Sequence, residues 1–203
     1  RLLTSQNPRA AFKVVYLTSA THIAAAPVKN ELIKVDTGVG EAKLHGILIE
    51  STLYRCELDS ADEAYFLAAT LNAPVLDEMI KPMQARGEYG PRHIHKKPLE
   101  FPIPKYKPDD GLCARLSALG RNATQRAWKA LPKLLSEYEY DRKLEERGCL
   151  TPREVGRLRM AIREELRDIL DRIDEVFIEL LKDTVAVLRR KEERKPSLET
   201  YFT

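Results

Sequence analysis

The residues that could do chemistry are concentrated in one basic segment, RGEYGPRHIHKKPLEFPIPKYKP, from Arg86 to Pro108. It carries six lysine and arginine side chains against two acidic ones, and two histidines besides. Gly87, Gly90 and Pro91 exclude a helix at its start, and four later prolines favour an extended chain. A basic loop of restricted conformation suits contacts with a nucleic-acid backbone and with base edges. A solvated surface loop could have the same composition, so both interpretations stay open.

Within this segment we expect two kinds of contact with DNA. Phosphates would be neutralised by the cationic side chains, which are Arg86, Arg92, Lys96, Lys97, Lys105 and Lys107. Base edges would be reached by Arg92, His93 and His95, because the Gly-Pro pair before them directs them outward. Tyr89 would stack on a displaced base or insert between two base steps; packing beneath the loop is the alternative.

Catalytic and metal-binding patterns are weak in this sequence. There is no GxGxxG, GxxxxGK, HExxH or GxSxG motif, so we predict no catalytic residues. His93 and His95 have the spacing of two ligands on one strand face, but no third ligand follows, and we predict no metal site. The acidic cluster of Glu57, Asp59, Asp62 and Glu63 could belong to a nuclease, although helix capping already explains part of it.

The element pattern predicts an α/β (α+β) region at 10–107, a helical hairpin with one long C-terminal helix at 108–195, and a flexible tail at 196–203. Strands are predicted at 12–18, 31–36, 43–50 and 51–58, with a turn at Gly38 and Gly40 and a short extended piece at 99–103. Helices are predicted at 60–72, from Pro74, from Asp109 to Pro132, and at 151–195 as one unbroken element with an apolar stripe from Val155 to Leu180. The last of these is expected to pack on the helix that begins at Asp109. Ser60 with Glu63, and Thr151 with Glu154, have capping-box spacing and mark two of the helix starts.

Overall composition is mildly basic and mixed. The net charge is +3, and hydrophobic and charged residues make up 43% and 32% of the 203 residues, which favours a globular, soluble protein. Three widely spaced cysteines match neither a zinc site nor a disulfide framework, so we expect a reducing, cytoplasmic location. No apolar run approaches the length of a membrane span.

Several of these pieces, in this order, resemble the C-terminal specificity region of adenine-specific DNA methyltransferases of restriction-modification systems, which have a TaqI-like target-recognition domain. The matching pieces are the EAYFLAATLN helix (63–72), Pro74 after it, and the GPRHIHKKPLEFPIPK block (90–105). The segment at 12–27 looks like the strand pair that precedes them, and the helix at 164–181 is similar to the one that ends such proteins. The resemblance covers most of residues 10–182.

The resemblance implies a DNA-binding module whose catalytic domain lies elsewhere. The Pro-Pro motif that holds a flipped adenine is missing, so S-adenosylmethionine is expected on a separate or upstream catalytic domain or subunit, and this chain needs no cofactor of its own. Double-stranded DNA and that domain are the expected partners. The alternatives are a protein-interaction module of a DNA-processing assembly and a nuclease-associated subunit.

The tail KPSLETYF resembles the clamp-binding box of replication proteins, which places an aliphatic residue three before an aromatic pair. Leu198, Tyr201 and Phe202 would then enter a hydrophobic pocket of a sliding clamp. Packing of the same three side chains onto the domain's own core remains the alternative.

Overall fold

A computed structural model describes residues 6–50, 52–84, 86–87, 90–91 and 93–193. The described strands are β1 (Phe12–Leu17), β2 (Ala25–Lys29), β3 (Leu32–Asp36), β4 (Glu41–His45), β5 (Leu53–Leu58), β6 (Arg86–Gly87) and β7 (Gly90–Pro91). The described helices are α1 (Ala61–Asn72), α2 (Pro74–Ile80), α3 (Gly111–Glu137), α4 (Tyr140–Arg147), α5 (Pro152–Glu165) and α6 (Arg167–Glu193). Mixed helices and small antiparallel sheets make this an α+β protein.

β1 is the central strand of a three-stranded antiparallel sheet with the order β2–β1–β5. Phe12 lies opposite Lys29 of β2 and opposite Leu58 of β5. The β-branched and aromatic residues of FKVVYL predicted this strand, and the prediction is confirmed. The residue pattern did not predict β2, because its residues have low β propensity and include Pro27. Proline is tolerated at this position because β2 is an edge strand.

The predicted strand at 43–50 is wrong over its second half. β4 ends at His45, after a hairpin with β3 whose turn has Gly38 at φ 77°. Residues 47–49 are instead bound by side chains: Lys13 Nζ donates to the Ile47 carbonyl at 2.6 Å, and Gln6 exchanges two hydrogen bonds with the Ile49 backbone. Lys13 is fully buried by this cover, which lies over the face of β1 opposite to Val14 and Tyr16.

α1 begins where the capping signal predicted. The Ser60 hydroxyl accepts a hydrogen bond from the Glu63 amide at 3.4 Å, so Ser60 and not Asp59 is the N-cap. Pro74 opens α2 as expected. The predicted extended piece at 99–103 is only half right, because Lys97–Glu100 is a 3-10 turn and the chain becomes extended from Phe101.

Two helix predictions in the C-terminal part are wrong in their bounds. α3 does not stop at Pro132; it runs five residues further to Glu137, with Pro132 inside the helix and Leu134 buried beyond it. The predicted single helix at 151–195 is interrupted at Leu166, where α5 ends and α6 begins. The capping box of Thr151 and Glu154 is confirmed.

Burial along these two helices is uneven. The apolar stripe predicted along them is buried from Leu166 onward, whereas Val155 in α5 is 39% exposed. α3 packs along both helices, in agreement with the expected hairpin. The helical region is therefore fixed to the core chiefly through α3 and α6.

One hydrophobic core joins the two predicted regions. It contains Val14 and Tyr16 of β1, Phe66 of α1, and Ile173 and Phe177 of α6, all almost fully buried. The closest approach is between α1 and α3, where a Cβ added to Gly120 would lie 2.2 Å from the Tyr65 carbonyl oxygen. Only glycine fits at that crossing, because the obstructing atom belongs to the backbone of α1.

We predict opposite stability effects for two glycine-to-alanine substitutions in helices. Gly120→Ala should destabilise the protein by about 1–3 kcal/mol, because the added methyl group must separate α1 from α3. The matched control is Gly156→Ala in α5, where an added Cβ meets nothing within 4 Å and higher helix propensity should stabilise by about 0.5–1 kcal/mol. Urea unfolding of both variants measures the two free energies; a change of the same sign in both would contradict this packing.

Candidate nucleic-acid interface

The His93–His95 segment is fixed to the end of β1 by backbone hydrogen bonds. The amides of Ile94 and His95 both donate to the Thr18 carbonyl at 3.0 Å, and the Tyr16 hydroxyl donates to the His95 carbonyl at 2.9 Å. Ile94 is completely buried in the core. The segment is thus bound to the sheet by its centre rather than suspended as a free loop.

Burial of Ile94 places its two histidine neighbours on the solvent side. His93 and His95 are exposed, and their rings stack with centroids 5.4 Å apart and planes 13° apart. His95 has φ 43°, a left-handed conformation that is uncommon for non-glycine residues, although histidine adopts it more often than most. The spacing predicted a shared face in a strand; the segment is instead an isolated bridge followed by a turn, and the turn still brings the two rings together. The two imidazoles form a short polar ridge, the histidine ridge, with donor and acceptor nitrogens. Among the residues that the structure describes, no group of three or more His, Cys, Asp or Glu side chains is arranged to bind a metal.

The lysines that follow fall into two places. Lys96 is exposed beside the histidines, and Lys97 is half-buried with its ammonium 3.1 Å from Glu100. Such a surface pair contributes little to stability and can exchange its partner for a phosphate.

Lys105 and Lys107 lie on a different part of the surface. Between them, Tyr106 packs on Phe66 of α1 with ring centroids 5.5 Å apart, so the two lysines alternate outward from it. Burial raises the pKa of Tyr106, and the nearby Asp62 raises it too, which places this residue near the start of α1. The predicted cation run therefore does not form one continuous patch.

The remaining predicted DNA contacts are described only in part or not at all. Arg86 lies in β6 opposite Pro91 of β7, in a tight antiparallel pair with Gly87 opposite Gly90. Tyr89 and Arg92 fall outside the described residues. The predicted partner-binding residues of the tail also fall outside them; these are Leu198, Tyr201 and Phe202.

The acidic cluster considered for a nuclease is occupied by structural partners. Glu57 accepts two hydrogen bonds from the Asn7 amide, at 3.0 and 3.1 Å, and lies 3.4 Å from Arg55. Asp62 pairs with Arg121 of α3 at 2.7 Å. Two of the four carboxylates, Glu57 and Asp62, thus connect elements of the fold. The capping role that the sequence offered to Asp59 belongs instead to Ser60, whose hydroxyl accepts a hydrogen bond from the Glu63 amide.

A second cationic site, which the sequence did not indicate, lies on α5. Arg159 and Arg163 are half-buried and close to His22, whose pKa is lowered first by burial and then by these two guanidinium groups. His22 comes three residues after Ser19, which bridges to His93, so a short stretch of chain connects this site to the histidine ridge. The sequence did not indicate this site because the 12 basic and 11 acidic residues at 151–195 nearly cancel in charge.

An apolar groove of about 670 Å³ lies between α2, α6 and the start of the extended segment. Its described lining includes Val75, Met79, Phe101, Phe177 and Leu181, with Lys182 at the edge. These side chains offer no pair of groups for acid–base chemistry, so the groove does not resemble a catalytic pocket.

Comparisons with known proteins identify no relative: no family model, curated protein or solved structure matches this chain. No helix in the described part is both long and apolar enough to cross a membrane.

We predict that His22 makes the protein less stable in acid. Burial and the neighbouring arginines lower its folded-state pKa, so the unfolded chain binds the proton more readily. Stability should therefore be complete above about pH 6.5 and fall progressively as the pH decreases below that value. Denaturant titrations at pH 7 and pH 5 should show a smaller loss for His22→Gln than for the wild-type protein, and equal losses would contradict this assignment.

Proposed function

We propose that this chain is the DNA target-recognition module of an adenine-specific DNA methyltransferase or restriction-modification enzyme. The observation that carries the proposal is the histidine ridge: two stacked, exposed imidazoles on a segment bonded to the sheet, with Lys96 beside them. Recognition of base edges is favoured by polar side chains that are already oriented beside a cation, because little free energy is then lost in ordering them on binding.

The geometry of the ridge suits the edge of a duplex. The two ring centroids are 5.4 Å apart, a separation between one and two base-pair steps of about 3.4 Å each. Neutral imidazole both donates and accepts hydrogen bonds, so each ring can contact a purine N7 or an exocyclic amine in the major groove. Arg92 follows Pro91 directly and precedes His93, and in this proposal it contributes a further base contact.

Phosphate contacts are assigned to the cations on either side of the ridge. Lys96 and Lys97 lie next to it, whereas Lys105 and Lys107 reach a phosphate farther along the duplex. Methyl transfer itself requires S-adenosylmethionine on a separate or upstream catalytic domain or subunit, and that domain is the proposed partner.

The test separates base contacts from phosphate contacts on the same segment. Fluorescence anisotropy with duplex DNA should show binding that weakens steeply between about 50 and 200 mM salt. Lys96→Ala should weaken binding to all sequences and reduce the log–log salt slope by about 0.9. His95→Asn tolerates the positive φ but removes the imidazole, so it should change sequence preference and leave the salt slope unaltered.

A matched control is Lys43→Ala, which removes an exposed lysine from the β3–β4 hairpin and should leave DNA binding nearly unchanged. Selection from a random duplex pool measures the preference of each variant. Absence of binding to any duplex at low salt would refute the proposal and favour a protein-interaction module, which has no steep salt requirement.

A further inference from the structure

We propose that Arg159 and Arg163 of α5, together with the turn at Thr21 and His22, form a phosphate-binding site. This inference rests on the proposed function: the phosphate would belong to the DNA backbone beside the bases that the histidine ridge contacts. It extends the interface from the basic segment at 86–108 to a helix of the C-terminal region.

The two arginines are half-buried without an acidic partner in the described structure. All three acidic residues of α5 have partners elsewhere: Glu154 pairs with Lys143 and Arg147, Glu164 with Arg167, and Glu165 with Arg126. The Arg159 Nε is buried and has no hydrogen-bond partner among the described residues. A guanidinium group that is partly removed from water without a counter-charge is costly, which indicates that a ligand completes it.

The carboxylates nearest to this site are also engaged. Asp77 accepts a hydrogen bond from the Ile23 amide at 2.8 Å and pairs with Lys81 at 3.3 Å. Asp174, which is within electrostatic range of Arg163, accepts from the Val75 amide at 2.7 Å. Asp77 is offset by Lys81, and of the two arginines only Arg163 is within electrostatic range of Asp174. Among the described residues the Arg159 guanidinium is therefore left without a counter-charge.

The neighbouring groups fit a phosphate. The exposed Thr21 hydroxyl lies 3.2 Å from His22 Nδ1 and can donate to an oxyanion. Each guanidinium presents a planar set of donors that matches phosphate oxygens. His22 remains neutral because its pKa is lowered, and a bound anion would offset the two arginines and raise that pKa.

The position of the site connects it to the ridge. Ser19 pairs with His93, and His22 is three residues further along the chain, at most about 10 Å away. Because His93 pairs directly with Ser19, the two sites are separated by a few phosphate spacings of about 3.4 Å, and one duplex can contact both.

The experiment measures duplex binding after the loss of one positive charge on either of two faces of α5. Arg159→Gln and Arg163→Gln should each weaken duplex binding about tenfold and reduce the log–log salt slope by about 0.9. Arg153→Gln and Arg157→Gln are the controls, since both arginines are exposed at helical positions away from His22, and each should change affinity less than threefold. Equal effects in all four variants would overturn the site, because they would report net charge alone.

A second measurement does not depend on DNA binding. NMR titration of His22 in the full chain, with inorganic phosphate as the probe and chloride at matched ionic strength as the control, should show a higher pKa in phosphate. Arg159→Lys should retain part of that rise, and Arg159→Gln should abolish it. If the chain bound no duplex but showed the rise, the proposed function would fail while the anion site stood. An unchanged His22 pKa in phosphate would refute the anion site itself.

Discussion

The crossing of α1 and α3 at Gly120 is the contact on which the rest of the arrangement depends. α1 covers the sheet, and α3 contacts α5 and α6, so this crossing joins the strands to the helices. A glycine there lets the α3 backbone approach the Tyr65 carbonyl of α1 to a distance that no side chain would allow. Close packing at this point joins β1, α1, α3 and α6 in one core.

The C-terminal end of β1 then organises the candidate interface. The Thr18 carbonyl accepts hydrogen bonds from the amides of both Ile94 and His95, and the hydroxyl of Tyr16 in β1 donates to the His95 carbonyl. With Ile94 buried between them, the two histidines must lie on the solvent side. The left-handed backbone of His95 is sustained by these bonds, because an unsupported non-glycine residue would rarely adopt it.

Charge is distributed by the fold in a way that differs from its distribution along the chain. The basic segment bends away from the ridge after the 3-10 turn, and Tyr106 packs on α1, so Lys105 and Lys107 face another part of the surface. Arg159 and Arg163, which are more than sixty residues from the histidines in sequence, lie instead near His22. In the proposed interface, the exposed histidines and the cations on separate parts of the surface would together suit a long, uniformly charged ligand.

The sequence by itself determined the local elements and the chemical character of the basic segment. Ser60 and the Thr151–Glu154 pair located two helix starts, the FKVVYL run located a strand, and the two-residue spacing of His93 and His95 indicated that they share a face. These features depend on neighbours a few residues apart, which capping, β propensity and side-chain periodicity describe well.

Only the tertiary structure decided which distant residues meet. Packing overrides local preference at three places. α3 continues through Pro132, the last predicted helix is interrupted at Leu166, and side-chain hydrogen bonds replace the strand expected at 47–49. Among the described residues, Arg159 and Arg163 are left without an acidic partner because the three glutamates of α5 find their ion pairs elsewhere in three dimensions. A count of charges along the chain cannot contain that information, because electrostatic partners are chosen by spatial distance and burial, not by order in the sequence.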